Sequence, residues 1–226
     1  GDIGKRVGSA MSAAGQQLMK VSAAAALPLG LSTRTFMGFE DQMKAVQAVT
    51  GATGEAFDKL YEKAKELGRT TSFTAAEVGA GMLNLARAGF STDEIDAAIE
   101  GMLDLSRATG TELAMSADIA AGTLRGFNLE ASEMGHVADV LVATANNSAQ
   151  TLEDLGESMK YVAPIALEYG LSLEQTSKAL GVLANMSIKG TMAGTSLRQI
   201  MLQLSDPDVQ KQLRAIGVEA LDSTGN

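Results

Sequence analysis

From Phe36 onward apolar residues recur at three- and four-residue intervals, and polar capping residues and glycines cut that rhythm into short pieces. Phe36, Phe39, Met43 and Val46 share one helical face that ends near Gly51. Phe57, Leu60, Tyr61, Ala64 and Leu67 mark a second amphipathic helix, with Gly68 read as its C-terminal stop. Thr74-Ala-Ala-Glu77 has capping-box spacing, in which hydroxyl and carboxylate satisfy two orphan amides at a helix start; Val78, Met82 and Leu85 follow until Gly89. Ser91-Thr-Asp-Glu94 repeats the box ahead of Ile95, Ile99 and Met102, and that helix ends near Thr109-Gly110. Thr111 is read as opening the next helix, with Leu113, Ile119 and Leu124 before Gly126. Met134, Val137, Val140 and Leu141 carry another as far as Asn146-Asn147. Thr151 caps Leu152, Leu155, Met159 and Val162, and Pro164 is expected to kink or end that helix, because its ring removes a donor and crowds the preceding turn. Ser172-Leu-Glu-Gln175 is a third box, heading Thr176, Leu180 and Leu183. Ser205-Asp206-Pro207-Asp208 starts a helix carrying Val209, Leu213 and Ile216.

No stretch alternates with the period of a strand, so the pattern predicts an all-α chain: a compact array of short amphipathic helices joined as helical hairpins, with a weaker helix at the N-terminus. Residues 1–34 read as a Gly/Ala-rich arm that breaks at Leu27-Pro28-Leu29-Gly30, residues 35–206 as the helical core module, and residues 207–226 as a terminal helix with a frayed tail. Ala184 to Leu204 is expected to form a hairpin, turning at Lys189 to Thr191 and re-entering a helix on Ala193-Gly194-Thr195, with the upstream helices packed against it. Gly89-Phe90-Ser91, Gly126-Phe127-Asn128 and Gly170-Leu171-Ser172 each read as a helix stop, an apolar residue and a polar cap, marking tight corners between helices. Their unequal spacing argues against a strict tetratricopeptide-type repeat.

The 226 residues suffice for one large domain or two small ones. Apolar residues make up 46% and aromatics only 4%, so the core must be built from Ala, Leu, Val, Ile and the 12 Met, which fill irregular gaps. A formal net charge of −9 lacks the basic footprint of phosphate binding and argues against nucleic acid as a direct partner. With no Cys, disulfides, thiolate metal sites and a thiol nucleophile are excluded together. The longest apolar run, Ala23 to Leu31, is too short for a membrane span and is interrupted by Pro28 and Gly30. Lys5 and Arg6 ahead of an Ala-rich stretch have the outline of a secretory signal, but Gln16-Gln17 and Lys20 fall where its apolar region should be. Lacking an initiator Met, the chain is expected to be a fragment or a processed piece.

The single histidine, His136, sits between Met134 and Val137 with no motif to bring it partners, and is read as structural or surface. Asp93-Glu94 and Glu153-Asp154 fall in helix first turns, where acids are favoured electrostatically. Gly79-Ala-Gly81 and Gly190-Thr-Met-Ala-Gly194-Thr195 follow no strand and do not match the phosphate-binding loop, so close helix contact is the better account of their small residues. Most Met residues fall on the apolar stripes, which favours core packing over an adaptable binding surface. Catalytic residues, cofactor and metal site are all expected to be absent.

Several phrases, taken in order, resemble the core region of phage tail tape measure proteins of the TP901 type. They are Phe39-Glu40-Asp-Gln-Met43; Leu67-Gly68 leading to Thr70-Thr-Ser-Phe73-Thr-Ala-Ala-Glu77-Val78; and Leu85-Ala86-Arg87-Ala88-Gly89-Phe90. Further on come Val137-Ala138-Asp139, Ala145-Asn146 with Ser148, and Gly190 with Ala193-Gly194-Thr195-Ser-Leu197-Arg198. The series spans residues 36 to 206 and singles out Gly89, Phe90, Gly190, Gly194, Thr195 and Arg198 as structural family-motif positions. Ser187 departs from it, since the family commonly has Gly there.

The resemblance implies a non-enzymatic structural protein of a phage or prophage tail, lying in the tube lumen of the virion and in the host cytoplasm during assembly. In that family the protein sets tail length, templates polymerisation of the tail-tube protein, is held by tail assembly chaperones, meets tail-tip or baseplate proteins, and leaves the tube as DNA is delivered. Tail symmetry suggests a homotrimer, and the host membrane is met only at infection. A ruler should be one long helix, and 226 unbroken residues would reach about 340 Å. The frequent stops instead predict a compact module at one end of a longer protein whose rod lies beyond Asn226. A second expectation, from the short corners and the Met- and Ala-rich core, is a switch in which the module is folded when free and opens into long helices inside the tube. A helical adaptor unrelated to phage, binding partners through a Met-rich groove, is the alternative.

Overall fold

The computed structural model describes residues 38–217. The predicted N-terminal arm, Phe36 and the frayed tail beyond residue 217 lie outside the described residues. Among those described there is no strand, and the chain is all-α, as the periodicity predicts. In order, α1 covers residues 38–50, α2 Glu55–Thr70, α3 Ala75–Arg87, α4 Thr92–Thr109 and α5 Leu113–Gly126. A 3-10 turn at Ala131–Glu133 leads into α6 Met134–Asn146, followed by α7 Leu152–Glu168, α8 Leu173–Asn185, α9 Gly190–Leu204 and α10 Pro207–Ala215.

The capping boxes explain why these segments start where they do. Thr74, Ser91, Thr151 and Ser172 each accept the amide three residues on, while Glu77, Glu94, Asp154 and Gln175 reach back to the cap's own N–H. Each box satisfies two donors that would otherwise be orphaned at a helix start. Asp206 does the same for α10, accepting from Asp208 and Val209 at 2.8 and 3.3 Å, with Pro207 in the first turn.

The ends follow a second rule. At four corners the chain closes a six-residue loop by a backbone bond: Phe90 N–H to Leu85 O, Leu129 to Leu124, Leu171 to Ala166, and Ile188 to Leu183. In each, the residue before the donor is left-handed: Gly89 (φ 85°), Asn128 (φ 53°), Gly170 (φ 68°) and Ser187 (φ 67°). The middle corner is therefore Asn128-Leu129-Glu130, two residues later than the sequence suggested, and α5 runs through Gly126. The turn into α9 likewise sits at Met186 to Lys189, so Thr191 is already helical.

Two further expectations are corrected and a third is narrowed. Gly68 does not stop α2; it is helical, and a Cβ there would lie 2.5 Å from the Ala75 amide nitrogen, so it is small because the start of α3 presses on it. Thr111 does not cap α5; its carbonyl accepts from Ser106 Oγ at 2.8 Å and Ser116 Oγ at 3.4 Å, and its hydroxyl meets Glu153 at 3.1 Å. Pro164 lies inside α7 without ending it, and the Lys160 carbonyl it leaves without a donor belongs to an exposed residue that water can satisfy.

The helices pack in two rows. Successive odd-numbered helices lie against one another, with α5 on α7 and α7 on α9 the most extensive of these contacts, and α2, α4, α6 and α8 form the second row. Glycines set the closest crossings. A Cβ on Gly79 would lie 3.1 Å from Gln42 Cβ of α1, and on Gly101 2.6 Å from the Gly135 nitrogen of α6. On Gly126 it would lie 2.9 Å from Ala163 Cβ, and on Gly156 2.6 Å from Ile119 of α5. α4 is the central element, burying Ile95, Ala98, Ile99, Gly101, Met102, Leu103, Leu105 and Ser106 against α2, α3, α5 and α6. The α8 to α9 hairpin, expected to be the packing centre, lies at one end of the array. Met43, Met82, Met102, Met134, Met159 and Met201 are core residues, whereas Met115, Met186 and Met192 are exposed.

A serine in left-handed backbone crowds its Cβ against the following carbonyl, and glycine does not. Ser187→Gly is therefore expected to stabilise the array by about 1 kcal/mol. Urea unfolding checks it, with Asn128→Gly as a control expected to gain less, because Asn tolerates this conformation.

Candidate functional site

The six singled-out positions fall into two clusters. Gly89 turns the corner between α3 and α4, its carbonyl accepting from Arg125 Nη2 at 3.1 Å. Phe90 is buried, and the Arg125 guanidinium stacks 4.6 Å from its ring centre. The same guanidinium lies 3.7 Å from Glu94, so one side chain of α5 clasps the corner through a carbonyl, a ring and a carboxylate. Nothing in the spacing of the sequence pointed to Arg125.

The second cluster joins α7 and α9. Gly190 is left-handed at φ 56°, and its carbonyl accepts from Ser158 Oγ at 2.8 Å. That hydroxyl also lies 2.9 Å from the Asp154 carbonyl, so the fully buried Ser158 ties the start of α9 to the first turns of α7. One turn further on, a Cβ on Gly194 would stand 2.3 Å from the Ser158 carbonyl oxygen, closer than atoms can come. Thr195 bonds back to the Thr191 carbonyl at 2.7 Å, and Arg198 is exposed on α9. Both clusters are made of packing and backbone contacts, and neither gathers groups that move a proton.

The titratable groups are distributed along the surface. His136 Nε2 lies 2.6 Å from Glu174 Oε1, both about half exposed, linking α6 to α8. Hydrogen bonds from Ser172, then from its own amide and from His136, hold the Glu174 carboxyl below the usual range. Glu94 is lowered chiefly by the Ser91 amide and hydroxyl, and Glu153 by its own amide, then Thr151 and Thr111. Lys59 pairs with Asp96 at 3.0 Å and Lys63 with Glu100, crossing from α2 to α4; Tyr61 donates to Glu40 of α1, which pushes its phenol up to about 12. Among the described residues no group of three or more His, Asp or Glu is placed to hold a metal ion. No described helix is long and apolar enough to cross a membrane.

The family described as phage-related minor tail protein matches residues 61–226. The tape measure protein of Pneumococcus phage Dp-1 is 40% identical over 227 residues, covering 98% of this chain and 20% of that relative. The probable tape measure protein of Escherichia phage P2 is 30% identical over 192 residues, covering 83% of this chain and 24% of the relative. That of Clostridium phage phiCD119 is 28% identical over 181 residues, covering 70% and 19%. The chain thus spans at most 24% of the length of these relatives. No solved structure is significantly similar.

Gly194→Ala is expected to destabilise the fold by about 3 kcal/mol, because backbone must move to admit the methyl group. Gly122→Ala, at an exposed position of α5 with nothing within 4 Å, should instead stabilise by up to about 1 kcal/mol. Thermal melts of the pair decide between packing and a mere glycine requirement. Glu94, Glu153 and Glu174 are all lowered in the fold, so their contribution is present above the unfolded carboxylate value and lost as pH falls through the folded one. Unfolding free energy followed from neutral to acid should drop in that window, and Glu94→Gln should begin lower and drop less.

Proposed function

The chain belongs to the phage-related minor tail protein family, and from that premise we propose that it is a segment of a tape measure protein. The observation that carries this reading is the 40% identity to the Dp-1 tape measure protein across 98% of the chain. In the proposed role the whole polypeptide lies in the tube lumen of the virion tail, sets tail length, templates polymerisation of the tail-tube protein and leaves the tube as DNA is delivered. Its partners are then the tail-tube protein, the tail assembly chaperones and tail-tip or baseplate proteins, in a trimeric arrangement, with no direct nucleic-acid contact by this segment.

Within that reading Gly89, Phe90, Gly190, Gly194, Thr195 and Arg198 act as structural positions, holding corners and crossings rather than performing chemistry. Helix geometry supports a particular part for the segment within that role. The longest described helix, α4, has 18 residues and so spans only about 27 Å, and the chain reverses at each corner. A folded array of this kind is a compact module carried by a measuring polypeptide, not the rod that counts length.

In-frame deletions in the phage gene test this. Removing α8 and α9 should stop tail assembly or leave tails of unchanged length. Electron micrographs showing tails shortened by about 1.5 Å per residue removed would overturn the module reading. Normal tails from a phage lacking the whole gene would overturn the tape measure reading itself.

A further inference from the structure

The corners from α3 to α4, α5 to α6 and α7 to α8 share one plan. A left-handed residue comes first: Gly89, Asn128 or Gly170. An apolar residue follows, Phe90, Leu129 or Leu171, and its N–H reaches back to close the six-residue loop. Ser91, Glu130 or Ser172 then heads the next helical segment. Each such corner folds an even-numbered helix back beside its odd-numbered neighbour, and the even-numbered helices meet in their own row.

The corner from α9 to α10 holds the same place and breaks the plan. Gly194 meets Ser158, and Ser205 meets Tyr169 at 2.9 Å, so α9 stands 36 positions ahead of α7. In that register Gly170 corresponds to Asp206, Leu171 to Pro207 and Ser172 to Asp208. Pro207 has no N–H, so the closing bond cannot form. Its ring also drives the preceding residue into extended backbone, and Asp206 lies there, at φ −68° and ψ 125°. Asp206 caps α10 instead, and α10 leaves the row: it touches α9, makes no substantial contact with α8 and buries none of its residues.

α10 does not lack an apolar face. Val209, Leu213 and Ile216 correspond in the same register to Leu173, Ser177 and Leu180, all buried in α8, yet Ile216 is 74% exposed. The helix suits the row, and the corner keeps it out.

We propose that Asp206-Pro207 is a built-in terminator of the helical rows, which denies the chain another reversal and closes the compact module at residue 206. The device rests on the module reading above. Its test reads only the fold of this chain, so its failure leaves the outcome of the phage deletions untouched.

The chain has no Cys, so an engineered pair reports contact cleanly. His136 meets Glu174 across the even-numbered row, 38 positions apart, and the same step from Glu174 leads to Gln212. In a parent carrying Glu174→Cys and Gln212→Cys, the disulfide should form slowly under mild oxidation. It should form at least tenfold faster once Asp206→Gly, Pro207→Leu and Asp208→Ser restore the plan of the α7 to α8 corner. Asp206→Gly alone should not speed it, because Pro207 remains. Amide hydrogen exchange across residues 209–215 should slow at least tenfold in the triple variant only. Equal disulfide rates in parent and triple variant, or acceleration by Asp206→Gly alone, would overturn the proposal. So would slowed exchange without the disulfide, the mark of α9 and α10 merging into one helix. The three replaced residues are exposed, so the circular dichroism melt of the array should stay that of the parent. Should the triple variant lose its fold, rapid disulfide formation in the parent or in Asp206→Gly alone still overturns the terminator.

Discussion

At Gly101 the backbone of α4 meets the backbone of α6 with no room for a methyl group between them, and at Gly194 the backbone of α9 meets the Ser158 carbonyl on the same terms. Such crossings hold helices two apart in sequence closer than side chains would permit, and the rest of the architecture depends on them. Hydrophobic burial alone is non-directional and would accept many arrangements of the ten described amphipathic helices. A crossing that excludes even one carbon accepts few. The two rows are thus specified by where side chains are missing, and the Met-rich core fills what remains.

Local chemistry was legible in the residues to a high degree. The boxes at Thr74, Ser91, Thr151 and Ser172 were readable because capping joins residues three apart, and the Gly89 and Gly170 corners because glycine advertises left-handed backbone. The corners at Asn128 and Ser187 were missed or shifted because an ordinary side chain occupies the same conformation there. Ser187 departs from a family Gly, and its φ of 67° gives that departure a physical meaning: the backbone is the one glycine prefers. Gly68 was misread for the opposite reason, since a glycine wanted for close approach looks in sequence like one wanted for its φ.

Row order, by contrast, left no local trace. Nothing near Gly101 in sequence names Gly135, and nothing near Gly194 names Ser158, so these partners emerge only when the chain is folded. The same holds for Arg125, whose three contacts at the Gly89 to Glu94 corner come from a helix some thirty residues further on. Of the candidate site, the sequence marked the small residues and missed what they were small for.

The alternation of rows also decides how the array bears a load. Each hairpin grips its neighbours along the rows, and distant hairpins share no substantial surface. A pull on α9 is resisted first by α7 and α8, while the grip of α2 on α4 is not called upon. Mechanical strength is accordingly a local property set by the weakest crossing, and the array gives way rung by rung, like a zip fastener and unlike a knot.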